Sequence, residues 1–258
     1  MKTLIHAHRG ASCQRPENTM EAFELAMRQQ ADYIELDVQL SADGEVVVAH
    51  DTTLERVSDG TGLLNARTLA ELKRLDFGKS CPGCGVCRIP TLREVYDFAR
   101  PTSLMLNVEL KTMGLPYPEL PGKLLSLAAE YSMQERILYS SFNDSSLACL
   151  READPAVSVG LLIEQDLAES DLENLWGYIE DMKLTALHPN YLLTDVPRAM
   201  RFCRAHGVAL NVWTPDEEPA IARMLGYGVN GIITNRPDVA AACRGDITAA
   251  AGSPADLS

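Results

Sequence analysis

A histidine beside an arginine, His8-Arg9-Gly10, closes the first apolar run of the sequence, and a second histidine, His50-Asp51, follows further on. Glu35-Leu36-Asp37 sets two carboxylates one residue apart, and Glu109-Leu110-Lys111 sets a carboxylate and an ammonium at the same spacing. Residues i and i+2 of a strand point to one side, so on strands each pair converges. Two converging carboxylates repel unless a cation sits between them. With Glu109 they make an all-oxygen donor set that favours Mg²⁺, Ca²⁺ or Mn²⁺ over zinc, and ligand type does not separate the three. Imidazole titrates near neutral pH, which suits His8 and His50 to acid and base roles. Arg9 offers a fork, and Lys111 a point charge, for phosphate oxygens. The chemistry indicated is metal-assisted hydrolysis of a phosphate ester. Each pair has a plainer reading: an exposed acidic pair for Glu35 and Asp37, a simple ion pair for Glu109 and Lys111, a structural role for His8-Arg9. Their recurrence at the ends of successive strands favours an enzyme.

The elements that must position these residues follow from periodicity. Strands are expected over 4–8, 33–40, 46–49, 104–110, 137–140, 158–163, 186–188, 209–213 and 231–234. Helical patterns cover 19–30, 120–131, 145–152, 170–182, 195–206 and 219–225. This alternation predicts a parallel sheet with helices outside. Strand 46–49 is the exception: Asp43-Gly44 marks a hairpin, so it runs antiparallel to 33–40. Eight parallel strands remain, which predicts an α/β TIM (β/α)8 barrel spanning 1–258 as one domain, with a small insertion at about 51–101 between barrel strands two and three. That insertion holds a helix over 68–75. In such a barrel the active site lies at the C-terminal strand ends, where every motif sits except His50. The loop after its strand must bring His50 to the mouth. Leu36 and Val38 are expected to face the helices.

Composition narrows the function classes. The 258 residues are close to the ~250 of one barrel, and 46% are apolar, enough for a sizeable core. A formal charge of −13 argues against nucleic acid or an anionic membrane as partner, so an anionic substrate must be attracted locally. The first motif follows the N-terminus too closely for a signal peptide, and no apolar run approaches the ~20 residues of a membrane helix. A cytoplasmic protein with a small-molecule partner and no stable membrane insertion is expected; oligomeric state is not indicated. Of seven cysteines, Cys13, Cys149, Cys203 and Cys243 are scattered. Cys81, Cys84 and Cys87 are spaced for a metal with a fourth ligand, or for one disulfide in an oxidising setting; free thiols are the preferred reading. His6 reads as a core residue and His206 as a helix cap, while His188 either lines the pocket or is buried. Trp213 is expected to wall the substrate site, against a plain core role. Residues 252–258 read as a frayed tail.

Taken in order, the motifs resemble the glycerophosphodiester phosphodiesterase family. The resemblance runs through His8-Arg9-Gly10, Pro16-Glu17-Asn18-Thr19, Glu35 to Leu40, Asp43-Gly44, His50 to Arg56, Ile89-Pro90-Thr91-Leu92, Glu109-Leu110-Lys111, Ser141-Phe142, Val212-Trp213-Thr214 and Gly231 to Pro237. It implies a TIM barrel with a small inserted region, and hydrolysis of diesters such as glycerophosphocholine or glycerophosphoethanolamine to glycerol 3-phosphate and an alcohol. By position, Glu35, Asp37 and Glu109 resemble metal ligands, His8 and His50 the acid/base pair, and Arg9 and Lys111 phosphate contacts. Glu17 and Asn18 resemble supports of the first motif, though a helix N-terminal signal around Asn18 explains them too. The cysteine cluster departs from the family pattern. Competing functions are a lysophospholipase D, whose apolar groove the loop 113–121 could extend, a metal-dependent sugar isomerase or aldolase, and a catalytically inactive phosphodiester-binding protein. The nucleophile is either water or the substrate's own 2-hydroxyl.

Overall fold

The computed structural model describes residues 2–79, 81–112, 117–165 and 169–245. The expected tail over 252–258, and the start of the 113–121 loop, lie outside the described residues. In chain order the elements are β1 (Leu4–His8), α1 (Met20–Arg28), β2 (Tyr33–Leu40), β3 (Val46–Val48), α2 (Leu69–Leu72), α3 (Leu92–Ala99), β4 (Met105–Leu110), α4 (Leu120–Tyr131), β5 (Ile137–Ser141), α5 (Asp144–Ala153), β6 (Ser158–Ile163), α6 (Glu169–Met182), β7 (Ala186–Pro189), α7 (Val196–His206), β8 (Ala209–Trp213), α8 (Glu218–Tyr227), β9 (Gly231–Thr234) and α9 (Pro237–Arg244).

All strands but β3 pair in parallel, from β1 through β2, β4 and onward to β9, and the β1–β9 pairing closes the ring. The protein is therefore a TIM barrel. β3 is antiparallel to β2, with Val38 opposite Val48 and Leu40 opposite Val46. The turn works because Gly44 takes φ +80°, a left-handed conformation that costs glycine little.

Alternation along the strands sorts the residues. Ile5, Ala7, Ile34, Leu36, Val38, Leu106, Val108 and Leu110 join the apolar core beneath the helices. The residues between them, including His6, Glu35, Asp37, Gln39, Asn107 and Glu109, are polar yet buried, and belong to the barrel interior. Glycines make room for that interior: a Cβ on Gly231 would stand 2.5 Å from Asn211 Oδ1 and 2.8 Å from His6 Nε2, and one on Gly160 would stand 2.7 Å from His188 Nε2.

The turn leaving β1 is equally tight. A Cβ on Gly10 would lie 2.7 Å from the backbone of Ala22, so only glycine lets the His8-Arg9-Gly10 turn pack on α1. Thr19 caps that helix by accepting from the Ala22 amide.

Within 51–101 the chain does two things. Leu54, Val57, Leu64, Leu72, Phe77 and Ile89 pack with Val47 and Ala49 of the β3 hairpin into a small core of their own. Leu92, Val95, Tyr96 and Ala99 of α3 instead join the barrel core. The expected list lacked α3 and α9, although Thr91 and Glu94 form a reciprocal capping box. α2 is shorter than the 68–75 expected. The preferred reading of the cysteine cluster as free thiols is corrected: Cys81 and Cys84 are joined by a disulfide, their Cα atoms 5.6 Å apart, while Cys87 is free and buried. Among the described residues no helix is long and apolar enough to cross a membrane.

Candidate active site

Seven of the eight site residues expected from sequence, His8, Arg9, Glu35, His50, Glu109, Lys111 and Trp213, line a single cavity of about 590 Å³ at the C-terminal end of the barrel. The eighth, Asp37, is 0% exposed. One carboxylate oxygen each from Glu35, Asp37 and Glu109 can be chosen so that all lie within 4.8 Å of one another.

Each group is held by a specific device. The left-handed backbone of Arg9, φ +58°, turns its amide onto Glu35, donating to Oε2 at 2.8 Å. Its guanidinium donates to Glu17 Oε1 at 2.9 Å and stands 3.4 Å from Asp37 Oδ2. Lys111 Nζ donates to Glu109 Oε1 at 2.6 Å and lies 3.7 Å from Asp37 Oδ1. Asn18 donates to Asp37 Oδ2 at 2.8 Å, so it supports the carboxylate and Thr19 supplies the helix cap. Gln39, on the same face of β2 as Glu35 and Asp37, donates to the carbonyls of Ala49, His50 and Asp51 at 2.9, 3.1 and 2.9 Å. That clamp folds the end of the antiparallel hairpin over the mouth and delivers His50.

Electrostatics separate the three carboxyls. Burial, then the charges of Asp37 and Glu109, push Glu35 well above its ordinary value. Burial and Asp37 push Glu109 up to about 7, outweighing Lys111. Burial also opposes ionisation of Asp37, but Arg9, Lys111 and His50 more than offset it and hold that carboxyl low. The trio fits a divalent cation. Its donors are all oxygen, two of its carboxyls are strained by like charge, and Asp37 Oδ1 is buried without a hydrogen-bond partner.

The two histidines are anchored differently. His8 Nδ1 lies 2.7 Å from Asn235 Oδ1. The Asn235 amide nitrogen donates to Asp216 Oδ2 at 2.6 Å, which fixes the amide with its oxygen toward His8. Nδ1 must then carry the proton, leaving Nε2 as the basic nitrogen. Burial, with Arg9, lowers the His8 pKa to about 4, so the ring is neutral at neutral pH. His50 Nδ1 instead meets the carboxylate of Asp51 at 2.7 Å.

Sequence reasoning assigned no role to Asn235, Asp216 or Arg56. Arg56 donates to both oxygens of Asp51, at 2.6 and 2.8 Å, and to both of Glu17, at 2.7 and 2.8 Å. One guanidinium thus ties the carboxylate behind His50 to the carboxylate behind Arg9. A polar residue just past a barrel strand, as Asn235 is, was the available signal. Arg56 ends the His50 to Arg56 motif, which is a signal without a role attached; Asp216 lies in a loop and had none.

The remaining histidines sit away from the cavity. His6 stacks on Tyr33 at 4.1 Å, and burial lowers its pKa to about 3. His188 is 0% exposed, bonded through Nε2 to Asn211 Nδ2 at 3.1 Å, and does not line the cavity. His206 Nδ1 meets the Phe202 carbonyl at 2.8 Å in the last turn of α7. Trp213 is fixed by donating to the His188 carbonyl at 2.7 Å and meets Phe142 edge to face at 5.8 Å.

Comparison with known proteins agrees in sequence and in fold. Residues 8–239 match the glycerophosphoryl diester phosphodiesterase family. A glycerophosphodiester phosphodiesterase of Caldanaerobacter subterraneus is 40% identical over 242 residues, covering 92% of this chain and 96% of that one. Another from Bacillus altitudinis is 35% identical, covering 94% and 98%. Among solved structures, an Oleispira antarctica phosphodiesterase in complex with the product sn-glycerol-3-phosphate superposes with a TM-score of 0.85 at 29% identity, covering 94% and 96%. The Agrobacterium tumefaciens glycerophosphodiester phosphodiesterase gives 0.80 at 28%, covering 93% and 99%. The chain belongs to the glycerophosphoryl diester phosphodiesterase family and is, with it, a phosphoric diester hydrolase.

Proposed function

We propose that the protein hydrolyses glycerophosphodiesters to glycerol 3-phosphate and an alcohol, with Glu35, Asp37 and Glu109 holding a divalent cation. The observation that carries this is the cavity itself: two independently anchored histidines and two paired cations surround one all-carboxylate trio. When bound, the ion supplies neutralisation of phosphate charge and acidification of the attacking hydroxyl. The chain's own groups do the rest. Arg9 and Lys111 grip the phosphate oxygens and offset the charge that grows in the transition state. His8, neutral and basic at Nε2, removes the proton of the nucleophile. His50, backed by Asp51, delivers a proton to the departing alkoxide. Arg56 keeps Asp51 and Glu17 in register, so the second histidine and Arg9 stay aligned. Trp213 and Phe142 wall the site on the apolar side.

The test is glycerol 3-phosphate release from glycerophosphocholine by protein stripped with EDTA and resupplied with Mg²⁺, Ca²⁺ or Mn²⁺. Activity restored by at least one ion supports the proposal, and absence of product with all three overturns it. Exposed Leu192 and Leu193, on the loop after β7 at the same end of the barrel, favour a second reading as a lysophospholipase D. Lysophosphatidylcholine cleaved faster than glycerophosphocholine would establish that reading instead.

A further inference from the structure

Three cysteines of the insertion take no part in the chemistry of the cavity. Cys81 and Cys84 are joined by a disulfide, and Cys87 follows three residues on as a free thiol. The bridge closes the turn Cys81-Pro82-Gly83-Cys84, in which Pro82 and Gly83 are exposed and both cysteines half-buried. A dissolved thiol therefore reaches the bridge in the folded protein. Cys87 differs: it is 0% exposed, and burial, then the charge of Glu21, pushes its thiol up to about 11. It stays protonated at neutral pH, and a thiolate is the form that attacks a disulfide, so Cys87 leaves the bridge undisturbed.

The bridge does not hold the ends of its segment. Asp76 Oδ1 accepts from the Gly78 and Cys87 amides at 2.7 and 3.0 Å, and the Phe77 amide donates to the Cys87 carbonyl at 2.8 Å. Opening the bridge thus frees the turn alone. The reduced state is accommodated too. Cys81 Sγ lies 3.8 Å from the Gln14 carbonyl, an acceptor for the S–H that reduction creates.

That contact joins the turn to the active site. Gln14 lies in the loop between β1 and α1, which also carries Glu17. The insertion meets this loop through Cys81 at Gln14 and through Arg56 at Glu17, the latter at 2.7 and 2.8 Å. Lys79 Nζ, two residues before Cys81, donates to the carbonyl of Glu55, the neighbour of Arg56, at 2.9 Å. The turn and Arg56 are braced on each other and on the same loop.

We propose that Cys81 and Cys84 are a redox-active pair that exchanges with dithiol reductants and disulfide oxidants, and that their state sets how firmly Arg56 is seated on Glu17. In reduction, one thiolate of the dithiol attacks a bridge sulfur, forming a mixed disulfide and releasing the other cysteine, which takes up a proton. The second thiol of the reductant then closes its own disulfide and releases the remaining cysteine as a thiol. Two electrons and two protons pass to the protein, and a disulfide oxidant takes them back. With the bridge closed, the turn presents Cys81 to Gln14 in one position. With it open, the two side chains rotate independently and the brace slackens, so the oxidised state is the more active one. This goes beyond the diesterase reading and uses it for only one of the readouts.

The experiment follows the full chain with Mg²⁺ before reduction, after dithiothreitol, and again after glutathione disulfide. Thiols are alkylated in the folded state and mapped by mass spectrometry. Reduction should add labels at Cys81 and Cys84 and none at Cys87, and the oxidant should remove them; exposed Cys13 and Cys149 label before and after reduction. Amide hydrogen exchange over residues 51–56 should quicken about 3-fold or more on reduction. The kcat/KM for glycerophosphocholine should fall about 3-fold, less than removal of Arg56 costs. The double variant Cys81→Ser/Cys84→Ser should match reduced wild type in both measures and ignore the reductant, and Arg56→Ala should lose the redox effect on kcat/KM. A bridge that stays closed until the protein unfolds, or equal amide exchange in the two states, overturns the proposal. So does turnover that is equal in both states, or a redox effect that persists in Arg56→Ala. Absence of turnover in every state is the distinct failure of the diesterase reading, and labelling with amide exchange then decides the redox pair by themselves.

Discussion

Replacing Glu109 by glutamine is expected to stabilise the metal-free protein at alkaline pH while abolishing its response to divalent ions. Burial and the charge of Asp37 raise the Glu109 pKa from 4.5 to about 7, despite Lys111 at 2.6 Å. A raised acid pKa means that the folded state holds a proton which the unfolded state gives up. Stability from this group is therefore full below about 4.5, falls as pH rises toward 7, and stays low above it. At about 1.4 kcal/mol per pH unit, the cost above pH 7 is on the order of 3 kcal/mol, or roughly 5–10 °C in Tm for a chain of this size. Glu35 is pushed in the same direction and adds to the effect. Glutamine keeps the shape and still accepts from Lys111, but removes the repelled charge.

The assay is thermal melting of EDTA-treated wild type and Glu109→Gln from pH 5 to pH 8, with and without Mg²⁺, Ca²⁺ or Mn²⁺. The variant should melt close to wild type at pH 5 and several degrees above it at pH 8, both metal-free. Metal should raise the wild-type Tm by an increment that grows with pH, because binding displaces protons, and should leave the variant nearly unmoved. A wild-type increment equal at pH 5 and pH 8, or a variant that keeps the full metal response, would refute the electrostatic account of the trio.

Four further outcomes are expected. His8→Ala and His50→Ala should each lower steady-state turnover at least ~100-fold, and near-normal turnover in either variant removes that residue from the mechanism. Asn235→Ala frees the His8 tautomer, so kcat should fall about 10-fold or more with KM little changed; because burial and the charge of Arg9 lower the His8 pKa, wild type kept saturated with metal should retain base function through neutral pH, and loss of His8 base function near neutrality would contradict the assignment. Arg56→Ala should cost about 10-fold in kcat/KM, and Arg56→Lys should recover little, since an ammonium cannot bridge two carboxylates bidentately; full recovery by lysine would reduce Arg56 to a charge. A 2-deoxyglycerol diester should react normally if water is the nucleophile and fail if the internal 2-hydroxyl attacks, as read by phosphate-product analysis.

Much of the site was legible because its signals are local. The i, i+2 spacing of Glu35 with Asp37 and of Glu109 with Lys111 fixes which side chains share a face once each segment is a strand. The Asp43-Gly44 turn made the following strand antiparallel and thereby left eight for the barrel. The capping box at Thr91 and Glu94 is equally local, and it starts α3 inside a stretch whose flanking residues carry no barrel periodicity. The disulfide between Cys81 and Cys84 was open in the sequence, since the spacing admits a bridge, a metal or free thiols alike.

The sequence by itself determined the barrel, the residue types of the site and the faces they share, because strand and helix periods are written residue by residue. Only the tertiary structure decided what stands behind those residues. His8 and Asn235 are 227 positions apart, and they meet because β1 pairs with β9, with Ala7 beside Thr234. Arg56 and Glu17 are 39 apart and meet because the hairpin folds back over the first turn. Ring closure and loop return are properties of the whole chain, so no local pattern announces which amide will orient a histidine or which guanidinium will join two carboxylates.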